Sequence, residues 1–242
     1  FARPSALSLR KARNQAGPKL FSREELLSIL KLLQGKPVEV EGGGKPIERA
    51  ADPQLKAMLL LGLNCGFGNT DVASLPQSAV DLVSGWVEFP RPKTGIRRRV
   101  PLWPETVAAI RGAIDNRPSP KSRSDAGLCF LTIQGNPWVR TRLKQSSDSD
   151  DEFVTVNTLQ QRFSGVLKML GINGRRGLGF YTLRHVFETI GGESRDQVAV
   201  DAIMGHVDSS MAGNYRQGIS DERLQDVVNK VRGWLFGEGG AA

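Results

Sequence analysis

Five stretches of this chain repeat apolar residues at spacings of three and four. Leu26, Leu27, Leu30 and Leu33 form the first; Leu55, Met58, Leu59 and Leu63 form the second. Val107, Ile110 and Ile114 follow, then Leu183, Val186, Phe187 and Ile190, and last Leu224, Val227, Val228, Val231 and Leu235. That spacing puts each set on one face of an α-helix. The chain is therefore mainly α. Ser22-Arg23-Glu24-Glu25 is a capping box, so the first helix starts at Ser22. Further helices are predicted over 52–63, 69–75, from 104 onward, and over 155–170, 182–191, 196–204, 208–215 and 221–236. No βαβ alternation and no internal repeat is visible, which excludes a Rossmann domain and a solenoid.

Between the helices lies one segment of a different kind. In WVEFPRPKTGIRRRVPLW, residues 86–103, an apolar strand meets a turn at Lys93-Thr94-Gly95 and returns through Arg97 to Val100. This predicts a β-hairpin with basic strands, the small antiparallel sheet of the fold. Residues 35–45 and 115–127 read as loops, 128–132 as a short strand, and SSDSDDE, 146–152, as an acidic solvated loop.

The 242 residues carry a net charge of +8, which favours a polyanionic partner such as nucleic acid. Two cysteines, Cys65 and Cys129, make no disulfide framework and fit a reducing compartment. No apolar run has membrane-spanning length, and no signal peptide opens the chain. With the two histidines they form no zinc-binding spacing, and no G-x-S-x-G elbow is present. Residues 1–19 are basic and read as a linker or arm; with no initiator Met, the chain is expected to be part of a longer protein.

Both histidines and both tyrosines fall within residues 181–220, YTLRHVFETIGGESRDQVAVDAIMGHVDSSMAGNYRQGIS. Arg184 sits at the start of a helix, where a guanidinium fork can take a phosphate or simply face solvent. Gly205 is placed to end a helix in a left-handed cap, with His206 next, aimed at a cleft or capping the core. Tyr215 follows Gly213 and Asn214, free to project or half-buried.

Taken together, Leu-Arg-His, then Gly-His, then a tyrosine nine residues later resembles the catalytic domain of the tyrosine recombinases, the phage-integrase family. FSREELLSIL resembles the first catalytic-domain helix, LLLGLNCGFGNTDVASL the segment of the first catalytic arginine, and RPKTGIRRRVPL the hairpin of the catalytic lysine. The resemblance covers residues 20–236 and implies the DNA breaking–rejoining fold. It implies site-specific DNA cleavage and rejoining through a 3′-phosphotyrosine, with no metal or other cofactor. It assigns Tyr215 as nucleophile, Arg184 as a phosphate clamp, Lys93 as general acid and His206 as a hydrogen-bond donor to the scissile phosphate. His185 reads as structural. Arg91, Arg97, Arg98, Arg99, Arg140, Arg142 and Lys144 are expected on the DNA backbone. The resemblance further implies a preceding DNA-clamping domain joined through residues 1–19, and a catalytic domain over 20–242. It implies a homo-tetramer on double-stranded DNA linked through helix 221–236, with a monomer in isolation, and a DNA-associated protein of the prokaryotic cytoplasm.

Two positions depart from the family pattern. Tyr181 stands where the family has a histidine. Gly68 stands where it has the first catalytic arginine. A phosphate-clamping arginine is worth about 10³–10⁵ in rate. Either another cation fills the gap, with Arg49, Arg97, Arg98 and Arg99 as candidates or Asn69 as an uncharged substitute, or the protein binds DNA with weak or lost catalysis.

Overall fold

The computed structural model describes residues 5, 20–40, 42–144, 152–172, 175, 177–206 and 218–237. The linker expected over 1–19 falls outside them apart from Ser5. So do most of the acidic loop, the helix predicted over 208–215, and Tyr215 with it.

Local signals set most of the helices. Helix α1, Arg23–Leu33, begins on the predicted capping box: Glu25 N–H donates to Ser22 Oγ (3.2 Å) and Ser22 N–H to Glu25 Oε2 (2.8 Å). Residues 35–45, read as a loop, instead hold most of a small antiparallel hairpin, β1 (Val38–Val40) with β2 (Gly44–Ile47). The two-residue alternation at Val38 and Val40 was too short to register as a strand by itself. Helix α2, Pro53–Cys65, is capped by Asp52 and stops at Gly66, whose φ of 61° is left-handed. Helix α3 is short, Asn69–Ala73.

The predicted basic hairpin is present within a three-stranded antiparallel sheet, β3 (Val80–Asp81), β4 (Trp86–Glu88) and β5 (Arg99–Pro101). Helix α4, Pro104–Asp115, follows at once. Residues 128–132 are not a strand. Leu128 makes a lone bridge to Pro76, and Cys129, Phe130 and Leu131 enter the core as an extended segment with no partner ladder. A further hairpin, missed in the sequence, flanks the acidic loop: β6 (Val139–Lys144) with β7 (Glu152–Asn157). It takes the residues that had been read as the first turn of a helix, so α5 begins at Thr158 and runs to Met169, capped by Asn157. Helices α6 (Thr182–Gly192), α7 (Gln197–Met204) and α8 (Asp221–Phe236) match the predicted spans to within a residue.

Helix α2 is the hub. From Ala57 to Cys65 every residue is buried, and α1, α4, α6 and α8 all pack on it. Each fully buried leucine there contributes roughly 1.5–3 kcal/mol. Its approach to α6 is close enough that a Cβ on Gly62 would lie 2.9 Å from Leu183 Cδ1. Asn64, also buried, ties α2 to the sheet: its Nδ2 donates to Pro101 O (3.0 Å), and its Oδ1 accepts from Trp103 N–H (2.8 Å).

The apolar stripe of α8 is turned inward. Leu224, Val227, Val228, Val231 and Leu235 are buried in the chain's own core. Trp103 Nε1 donates to Val228 O (2.9 Å), and Arg232 makes a forked pair with Glu105 (2.6 and 3.0 Å). In the single chain this stripe packs on α1, α2, α6, α7 and β5.

Candidate nucleic-acid interface and active site

The ends of α2, α6 and α7 and the basic hairpin meet at one turn, Met204-Gly205-His206. Gly205 closes α7 in the left-handed region, φ 63°. Arg184, in the first turn of α6, is buried to 2% and reaches both helix ends: Nη1 donates to Gly66 O (2.6 Å) and Nη2 to Met204 O (2.7 Å). Helix C-termini leave such carbonyls unpaired and favour cations. Burial and then the neighbouring Arg91 charge push the Arg184 guanidinium below its ordinary pKa.

The hairpin tip rests on the same turn. Arg91 Nη1 and Thr94 Oγ1 both donate to Gly205 O, at 3.2 and 3.4 Å. Lys93 and Gly95 are exposed at the tip, with Gly95 at φ 69°. His206 turns its Nδ1 to Asp201 Oδ1 (2.9 Å), which orients the ring from the preceding turn of α7. Asp201 is absent from the residues the sequence singles out; its spacing of five before His206 is the one signal that could have found it. Glu188, Asp201 and His206 bring ligand-type atoms within 4.8 Å of one another, and Gln197 Nε2 bridges the two carboxylates at 3.1 Å each.

The basic strand does not present all its arginines outward. Arg97 is exposed. Arg99 lies over Trp86, 3.7 Å from the ring centroid, and pairs with Glu88 and Asp221. Arg98 is only 3% exposed and lies beneath the strand surface rather than on it. Strand alternation turns it inward between its two neighbours. There it stacks on Phe67 (4.3 Å), donates from Nε to Phe89 O (3.0 Å) and pairs through Nη2 with Asp71 Oδ1 (2.9 Å). Arg140 is half-buried on β6; the side chains of Arg142 and Lys144 lie outside the described ones.

Gly68 is the N-cap of α3. Its N–H donates to Asp71 Oδ2 (2.7 Å), so one carboxylate holds both the Gly68 backbone and Arg98. Of the other candidates for the vacant charge, Arg49 pairs with Asp52 at the far end of α2. Thirteen residues of helix separate that end from Gly66, about 20 Å. Tyr181 is half-exposed, edge-on to the exposed His185 ring at 5.4 Å. His185 thus lies outside the core.

The solved structures this chain resembles include recombinases and integrases. A Tn1549 transposon integrase in complex with a circular intermediate DNA superposes with a TM-score of 0.57 at 16% identity, covering 88% of this chain and 66% of that one. The XerA recombinase superposes at 0.55 and 16%, covering 89% and 65%. A lambda integrase dimer bound to a COC′ core site superposes at 0.53 and 13%, covering 84% and 61%. The chain thus spans just under two thirds of the first two. It has the tyrosine recombinase catalytic-domain fold. Among curated proteins none matches it. The Phage integrase family matches residues 45–221, most of the chain, and the protein belongs to that family.

Proposed function

We propose that this protein cleaves and rejoins DNA strands at specific sites through a 3′-phosphotyrosine intermediate. The observation that carries the reading is the convergence of Arg184, His206 and the Lys93 hairpin on the single turn Met204-Gly205-His206. Such a cluster of cations and donors matches a phosphodiester whose negative charge grows as it becomes pentavalent.

In this reading the Tyr215 phenol gives its proton to water as its oxygen attacks phosphorus, the P–O5′ bond breaks, and the 5′-hydroxyl leaves with a proton from Lys93. Arg184 neutralises the phosphate, and His206, oriented through Nδ1 by Asp201, takes the place beside the phosphate that the resemblance gives it. Tyr181 stands at the edge of the site. Attack by another strand's 5′-hydroxyl reverses the step. Arg91, Arg97, Arg99, Arg140, Arg142 and Lys144 serve the backbone of double-stranded DNA. Assembly as a tetramer on double-stranded DNA, linked through α8, belongs to the same reading.

A second reading is favoured by Gly68, which offers no side chain to the phosphate: a recombinase-fold protein that holds DNA and cuts poorly. Covalent trapping separates the two. The chain is mixed with nicked duplexes of randomised sequence, and denatured complexes are sorted for DNA-linked protein. Linked DNA that disappears in Tyr215→Phe supports the enzyme. Retained binding without any linkage supports the second reading.

A further inference from the structure

Three guanidinium groups surround the Met204–Gly205 turn. Arg184 bonds Met204 O, Arg91 bonds Gly205 O, and the Arg98 side chain packs so closely that a Cβ on Gly205 would lie 2.9 Å from its Cδ. One carboxylate, Asp71, pairs with Arg98, while both Arg184 bonds go to neutral carbonyls. Asp71 also spends an oxygen on the Gly68 amide. Among the described residues, these three guanidinium groups have one paired carboxylate, and Arg98 and Arg184 are buried, where an uncompensated ion is costly. Arg98 Nη1 is buried and has no hydrogen-bond partner among the described residues. Buried charged donors are nearly always satisfied, so an orphan of this kind calls for a partner.

We infer that Arg98 supplies the guanidinium that position 68 lacks, with its unpaired Nη1 as a donor to the scissile phosphodiester. The inference rests on the recombinase reading above. Asp71 is the hinge of the substitution. It binds the backbone at position 68 with one oxygen and aims Arg98 with the other. Phe67 forms a flat support beneath the guanidinium, 4.3 Å from it. Arg91 and Thr94 at the hairpin tip bond Gly205 O, the residue against which Arg98 packs, and donation to the phosphate requires this contact to open when DNA binds.

A neutral methylphosphonate tests this, since it removes the charge that a guanidinium would neutralise. The duplex recovered by trapping is made twice, with a phosphodiester or a methylphosphonate at the cleaved position. Formation of linked protein is timed for the unmodified chain and for Arg98→Gln. The expected result is a loss of roughly 10³-fold on the phosphodiester and less than about tenfold on the methylphosphonate. Equal losses on both duplexes would assign Arg98 a structural role and overturn the inference, as would no loss on either. If Arg98→Gln melts below the assay temperature, Arg98→Lys replaces it, with the same contrast between duplexes expected at a smaller scale. An unmodified chain that links to neither duplex defeats the recombinase reading and the inference together. Linkage by the chain with an indifferent Arg98 defeats the inference alone.

Discussion

Tyr181 lies across Gly68: a Cβ at position 68 would sit 3.2 Å from Tyr181 Cε2 and 3.3 Å from Cδ2. The two departures from the family pattern are thus neighbours in space. The aromatic ring takes room that a longer side chain at 68 would need.

Gly68→Arg alone is therefore expected to fail as a repair. Overpacking against the ring costs about 1–3 kcal/mol, read as a lower Tm, with no gain in DNA linkage. Gly68→Arg combined with Tyr181→His relieves the clash. The double variant recovers stability and forms linked DNA about 10²-fold faster than Gly68→Arg alone. A double-mutant cycle that is additive in both readouts contradicts the coupling.

DNA binding should weaken steeply with salt. If the basic hairpin and β6 contact six or more phosphates, affinity falls about 10³-fold or more between roughly 50 and 200 mM salt. Arg97→Ala should flatten the slope by about one unit. Fluorescence anisotropy with a labelled duplex reads both, and a salt-independent affinity would contradict the DNA reading.

Docking of α8 should depend on acid pH through Glu105. Burial alone would raise its carboxyl, but the Arg232 fork and its own backbone bond outweigh that and hold it below the usual value of 4.5. A depressed carboxyl stabilises the fold fully above 4.5 and loses that contribution as pH falls through the folded value. Glu105→Gln should cost about 1–3 kcal/mol at neutral pH and flatten the acid limb of a denaturation profile. An unchanged acid limb would place the sensitivity elsewhere.

The two thiols should be inert in the folded protein. Burial pushes Cys129 up to about 12 and Cys65 higher still, against an ordinary 9.0. Raised thiol values leave stability intact below pH 9.0 and remove it as pH rises towards 12. Iodoacetamide at pH 8 should label neither residue until denaturant is added, when both react. Labelling in the native state would show that this part of the core opens.

Much of the fold was legible because its signals are local. Ser22, Asp52, Asn157 and Asp196 each cap the N–H group three residues ahead, and Gly66 and Gly205 stop helices by their own backbone freedom. The apolar stripes needed only the helical period. The Gly-His pair and the Lys-Thr-Gly turn could be read the same way, as short patterns with fixed spacing. The β6–β7 hairpin was missed although Arg140, Arg142 and Lys144 alternate with Val139, Thr141 and Leu143, because its pairing partners lie on either side of a polar loop.

The sequence by itself determined the helices, the basic hairpin and the family. Only the tertiary structure decided that α8 covers its own domain, that Arg98 turns inward to Asp71 while Arg97 faces solvent, and that Tyr181 rests on Gly68. Capping and periodicity act within a few residues of chain. Which side chain shares a carboxylate, or fills the space over a glycine, depends on how the elements pack, and residues far apart in sequence set that jointly.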